Sequence, residues 1–266
     1  MNTISFISAN FVARELGYNM TEGWMQGDTA TQAFFSPLET FQTRFDAMLT
    51  EVKAMGFAAI DLWGAHLHPN WASQEHLEIA KNSLQAHGLI VPSLAASCGS
   101  LEQVEGFCRV ANAVGASVIG GGVPILQEKR SEVLAILKHH NIKVGLENHP
   151  ETMPSQILEL IGDGANGFIG AACDTGWWAT QGFEPARAIK ELDGHLLAVH
   201  LKDIKAVGAH DTCKFGDGIA NIQACAFAIL EIGYTGVIGI EHEPEHHNPT
   251  QDVLESGKML KTWLEI

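Results

Sequence analysis

Residues 142–176 read IKVGLENHPETMPSQILELIGDGANGFIGAACDTG, and this stretch decides the fold. It opens with an apolar run at 142–147, passes through an amphipathic segment at 154–162, and returns to a second apolar run at 168–173. Each run suits a strand, and the segment between them is long enough for the helical crossover that joins parallel strands. Working outward, the same unit recurs. Strand-like runs lie near 4–8, 58–62, 89–94, 117–120, 196–201 and 236–241, with helical patterns near 38–55, 73–87, 100–114, 130–139, 184–191, 219–232 and 251–264. Eight strand–helix units in alternation predict a single-domain (β/α)8 TIM barrel over residues 1–266. An open doubly wound sheet is the alternative fold, but no G-x-G-x-x-G follows the first strand.

Local signals agree with these boundaries. Gly56 and Gly88 follow helical stretches as left-handed caps do, and Ser73 and Ser100 precede theirs as N-caps, without a capping box. The fourth unit is the weakest, because 123–141 must hold both a loop and a short helix. Residues 9–36 read as one long irregular loop after the first strand, expected at the C-terminal face as a lid or a subunit contact.

Composition narrows the function. Acidic residues number 31 against 16 basic ones, for a net charge of −15, and the basic residues are scattered singly. A nucleic-acid binder would carry a basic stripe, so nucleic acid and anionic membranes are not expected partners. No apolar run approaches the roughly 18 residues of a membrane helix, and the start of the chain lacks a secretory pattern, so a cytoplasmic location is expected. The five cysteines form no C-x-x-C pair and read as reduced, packed thiols rather than a disulfide or thiolate-metal framework.

In such a barrel the C-terminal ends of the strands converge on one pocket. Four consecutive ends read LENHPE (146–151), ACDTGWW (172–178), VHLKD (199–203) and IEHEPE (240–245). Each places an acidic or imidazole group at the same height: Glu147, Asp174, His200 and Glu241. Three carboxylates and an imidazole suit one divalent metal ion, with manganese placed first and magnesium, cobalt and zinc as alternatives. Without a cation such carboxylates would repel one another, so the cluster implies a counter-charge. Strand alternation also turns Gly145, Ala172, Ala198 and Gly239 inward directly beneath these four, where bulk would take the ligands' space.

The same alternation points His149, Lys202 and Glu243 toward the pocket mouth. His149 is a candidate acid/base and Lys202 a candidate substrate contact; second-sphere bonding for the first and carboxylate pairing for the second are the plainer readings. His66 and His68, after the second strand, and Trp177 are further candidates for substrate contact, with simple packing as the alternative. His246 and His247 form a doublet expected in solvent, and Asp217 in KFGDGI is expected to make a turn.

At ENHPE (147–151), Asp174, HLKD (200–203), FGDG (215–218) and IEHE (240–243) the chain resembles the xylose-isomerase-like barrels, specifically the sugar phosphate isomerase/epimerase family. The likeness spans nearly the whole element order. It implies Glu147, Asp174, His200 and Glu241 as metal ligands, with Glu147 and Glu241 doubling as acid and base. The implied activity is metal-dependent isomerisation or epimerisation of a keto-sugar or an inosose through an enediolate. Two departures qualify it. Trp177 stands where the ketose epimerases and endonuclease IV have a histidine, and the loop after His200 lacks the epimerases' arginine. His149 resembles the acid/base of a branch that cleaves 3-keto-glycosides by β-elimination, which is the alternative activity. An endonuclease is disfavoured by charge, and a non-catalytic barrel subunit by the intact ligand set. The expected partner is a small sugar or cyclitol, with a homo-oligomer left open.

Overall fold

The computed structural model describes residues 2–265. Eight parallel strands close into a barrel: β1 (Thr3–Ile7), β2 (Ile60–Trp63), β3 (Ser93–Ala95), β4 (Val118–Gly121), β5 (Lys143–Glu147), β6 (Ile169–Asp174), β7 (Leu196–Ile204) and β9 (Val237–Glu241). Closure runs through the β1–β9 ladder, where Thr3 faces Val237 and Phe6 faces Ile240. A ninth strand, β8 (Thr212–Cys213), pairs antiparallel with the end of β7 outside the ring.

Helices α2 (Leu38–Ala54), α3 (Gln74–His87), α4 (Leu101–Val114), α6 (Arg130–His140), α7 (Pro154–Ile161), α9 (Pro185–Glu191), α10 (Ile222–Glu231) and α11 (Thr250–Trp263) fill the expected crossovers. In α2 the buried residues are Phe41, Phe45, Met48, Leu49 and Val52, the spacing of one helical face. Full burial of each such side chain contributes about 1.5–3 kcal/mol. Ser73 caps α3, and its own N–H donates to His76 Nδ1 at 3.1 Å, a reciprocal box in which histidine replaces the usual Glu or Gln. Ser100 caps α4 by accepting from the N–H of Gln103, and Gly88 ends α3 at φ 59°. In the fourth unit the short α5 (Ile125–Glu128) precedes α6. All five cysteines are buried and free. No helix among the described residues is long and apolar enough to cross a membrane.

Residues 9–36 depart from the irregular loop expected of them. They hold two 3-10 turns, Ser8–Phe11 and Arg14–Leu16, and a full helix, α1 (Trp24–Phe35). The buried face of α1 is Gly27, Thr31 and Phe35, so its inward stripe is mostly small or polar and carries no apolar 3.6-residue rhythm. Gly27 is demanded by packing: a Cβ there would stand 2.4 Å from the carbonyl oxygen of Val12.

Candidate functional site

Strand register sets the site. Asp174 is paired with His200 across β6–β7, and Lys202 with Glu241 across β7–β9. Glu147 ends β5, whose ladder with β6 places it opposite Ala172. The expected quartet therefore meets at one end of the barrel. Glu147, Asp174 and His200 each offer a donor atom within 4.8 Å of the others. Glu241 joins them at His200, with Oε2 at 3.2 Å from Nδ1, while Glu147 Oε1 lies 3.5 Å from that nitrogen.

His200 is held from behind. Its Nε2 lies 3.2 Å from Asp61 Oδ2, which also accepts the Ser93 hydroxyl at 2.6 Å. With Nε2–H given to Asp61, Nδ1 is the nitrogen that a bound ion would take in place of its proton, the arrangement of a carboxylate–histidine–metal triad. Asp61 is absent from the sequence-derived set. Its signal was a carboxylate in the middle of the apolar run AAIDL (58–62), since a buried acid requires a partner.

Asp174 is fixed at both ends of its backbone by Asn148, which accepts from its N–H at 2.8 Å and donates to its carbonyl at 2.9 Å. Its Oδ1 caps the helix α8 (Thr175–Thr180) by accepting from Trp177 N–H at 3.0 Å, which leaves Oδ2 for the site. Among the inward small residues, Gly239 also has a definite use. A Cβ on Gly239 would collide with Ile7 at 2.6 Å and crowd the His200 ring at 3.3 Å. Gly239 thus seats Ile7 and the His200 ring.

Lys202 is more central than a rim contact. Its Nζ lies 2.6 Å from Glu241 Oε1, 2.8 Å from Asp174 Oδ2, 3.5 Å from Glu243 Oε2, and 5.0 Å from the Trp177 ring centroid. Gly176 gives its stem room, because a Cβ there would meet Lys202 Cγ at 2.7 Å. This ammonium supplies part of the counter-charge. Burial alone would discharge Lys202 and His200, yet the surrounding carboxylates overcome it and raise both pKa values. Burial likewise pushes Glu241 up, but Lys202 and His200 outweigh it and hold the group ionised.

The compensation is incomplete. Burial and the neighbouring carboxylates, working against Lys202, push Asp174 up to about 7. Burial and Glu241 push Glu243 up to about 8. Among the described residues, Asp61 Oδ1 and Glu241 Oε2 are buried carboxylate oxygens without a hydrogen-bond donor, and Asp174 Oδ2 faces only the Lys202 ammonium. Five carboxyl groups, counting Glu147 and Glu243, thus surround one ammonium and one imidazole. Excess negative charge, orphaned oxygens and a pre-aimed imidazole nitrogen are what a divalent cation would satisfy, so the residues fit the expected ion.

The cluster floors a cavity of about 780 Å3 lined also by Trp24, Trp63, His68, His149, Trp177 and Glu243. The exposed ring of His149 lies at the rim on the Trp177 ring, with centroids 3.8 Å apart. Contact with the protein, Lys202 and His210 draw its pKa down, against Glu147 and Glu151. His68 lines the wall against Phe107, with its pKa lowered by burial. His66 does not line the cavity. It is fully buried behind Trp63 and Phe35, with Nδ1 at 3.2 Å from Ser8 Oγ, so its role is packing. Helix α1 roofs one side, Trp24 Nε1 donating to Glu243 Oε1 at 3.1 Å. Asp203, the last residue of HLKD, turns away and accepts from the N–H groups of Gly216, Gly218 and Ala220, which shapes the FGDG loop. Asp217 is exposed in that turn.

A family model described as xylose isomerase-like TIM barrel matches residues 49–263. An uncharacterized protein of Methanocaldococcus jannaschii is 31% identical over 145 residues, 51% of this chain and 47% of that one. An L-ribulose-5-phosphate 3-epimerase of Salmonella paratyphi C is 33% identical over 69 residues, 26% of this chain and 24% of the epimerase. The chain thus spans about half the length of the first relative and about a quarter of the second. The solved structure of the IolI protein with a bound zinc atom superposes with a TM-score of 0.70 at 17% identity, covering 99% of this chain and 98% of that one.

Proposed function

Because the chain belongs to the xylose isomerase-like TIM barrel family, we propose that it is a metal-dependent isomerase or epimerase of a keto-sugar or an inosose. The observation that carries this reading is the convergence of Glu147, Asp174, His200 and Glu241, with the buried Glu241 Oε2 unmet and Asp174 Oδ2 facing only Lys202, on the floor of a sugar-sized cavity. A divalent ion held there, manganese first among candidates, would act as a Lewis acid on a carbonyl and its neighbouring hydroxyl and so acidify the C–H between them.

The protein's own groups supply the proton transfers. Glu147 and Glu241 both reach His200 Nδ1 at the cavity floor; in this reading one carboxylate removes the proton and the other returns it. Return to the same carbon from the opposite face epimerises; return to the neighbouring carbon isomerises. Lys202 keeps Glu241 ionised, the state a base needs, and sets a positive charge near the oxygen that gains electron density. Trp177 and Trp63 offer flat apolar walls to a sugar's C–H faces.

A second reading, β-elimination from a 3-keto-glycoside, is favoured by one observation. His149 stands at the rim of this cavity, braced on Trp177, where it could protonate a leaving group. Incubation with ketoses, inososes and 3-keto-glycosides in D2O, followed by NMR, tests both. Manganese-loaded protein should exchange a substrate proton for deuterium, and Glu241→Gln should lower exchange by at least about 100-fold, the low end of a general base's contribution. No exchange with any of them, or full exchange in Glu241→Gln, rejects the proposal. Released aglycone that vanishes in His149→Ala would select the eliminase.

A further inference from the structure

His242 follows Glu241, but its side chain turns away from the cavity and does not line it. On that other side His242 Nε2 and His247 Nε2 each lie 3.1 Å from the same oxygen, Asp252 Oδ2. One donor atom from each of the three residues falls within 4.8 Å of the other two. We propose that His242, His247 and Asp252 form a second metal site, separate from the barrel centre and suited to zinc.

The geometry supports this reading. For zinc bonds of about 2.0–2.1 Å, the edge of a coordination tetrahedron is about 3.3–3.4 Å. Both histidine–aspartate edges fall within a few tenths of an ångström of that length. Two imidazoles and one carboxylate are the donor set of a borderline cation, and three protein ligands leave a fourth position for water. That position is open to solvent, since His247 is 55% and Asp252 32% exposed.

The buried member is oriented as metal-bound histidines usually are. His242 Nδ1 lies 2.8 Å from Thr212 Oγ1, and its backbone N–H donates to Asn10 Oδ1 at 2.7 Å. These contacts aim Nε2 at Asp252 whether or not an ion is present. The three ligands come from residues 242–252, which run from the end of β9 into the first turn of α11. An ion there would clip that connection to itself, immediately behind Glu241 and Glu243. His246 shares the loop but points elsewhere, 3.8 Å from Glu245 and 67% exposed.

The test counts ions. Chelator-stripped protein is titrated with zinc chloride, and bound metal per chain is read by calorimetry and by elemental analysis after gel filtration. Wild-type protein should bind one equivalent more than His247→Ala or Asp252→Asn. His246→Ala should match wild type, and Asp174→Asn, which alters only the barrel centre, should keep the equivalent that His247→Ala loses. His247 is exposed, so its replacement leaves the fold intact, and circular dichroism checks this. Equal zinc content in wild type, His247→Ala and Asp252→Asn overturns the site, because the trio is then one carboxylate accepting two imidazole N–H groups.

Discussion

Asp61 touches neither the cavity nor the proton-transfer groups; its influence passes through the His200 ring. Its carboxylate is buried in β2, 3.2 Å from His200 Nε2, and is steadied by Ser93. Outer carboxylates of this kind fix the tautomer and raise the basicity of a ligand imidazole, and losing one typically costs 10–100-fold in metal affinity or activity. Asp61→Asn should therefore weaken manganese binding by about 10–100-fold with the fold retained, as calorimetry on the chelator-stripped variant would read. Unchanged affinity would mean that Asp61 only fills space. The contrast with the four expected ligands is physical. Those lie at strand ends, where barrel topology alone brings distant positions together, whereas Asp61 reaches the site only through a side-chain contact between β2 and β7. The same limit hid the reach of Lys202: spacing put it near the mouth, but only packing over Gly176 lays its ammonium among three carboxylates.

At the scale of elements, all eight barrel strands and their crossovers were readable, because each buries a continuous or periodic apolar stripe. Helix α1 was not, and for the same reason. Its segment WMQGDTATQAFF contains glycine and threonine, which are poor helix formers, and it packs through Gly27 and Thr31. Only the tertiary fit against Val12 and Met20 reveals why a glycine stands there. That fit yields a prediction. In Gly27→Ala, the helix interior would gain intrinsic propensity, about 1 kcal/mol for glycine to alanine. The added methyl, however, lands on backbone that cannot yield without moving α1. Overpacking of this kind costs about 1–3 kcal/mol, so the variant should melt lower than wild type. It should also loosen the Trp24–Glu243 contact and so raise KM more than it lowers kcat. A higher melting temperature would show that α1 is held by propensity rather than by this contact.

The whole molecule carries an excess of acid, and the barrel centre concentrates it. Asp61, Glu147, Asp174, Glu241 and Glu243 crowd around Lys202 and His200, and two of these acids are pushed up to about 7 and about 8. Removing one partner from a buried charge group typically costs 3–5 kcal/mol, because the opposite charge is left stranded. Lys202→Met should therefore destabilise the chelator-treated protein by about that much. Manganese should change the outcome. An ion that binds only the folded chain stabilises it by about 2.7 kcal/mol at a hundred times its dissociation constant. In the variant, Asp174 Oδ2 and Glu241 Oε1 no longer face an ammonium, and both become free to meet the ion. The stabilisation on adding manganese should accordingly be larger in Lys202→Met than in wild type, although the variant loses turnover. Thermal melts of both proteins in chelator and in excess manganese measure the two gains. A smaller gain in the variant would mean that Lys202 helps to build the ion site instead of competing for its oxygens.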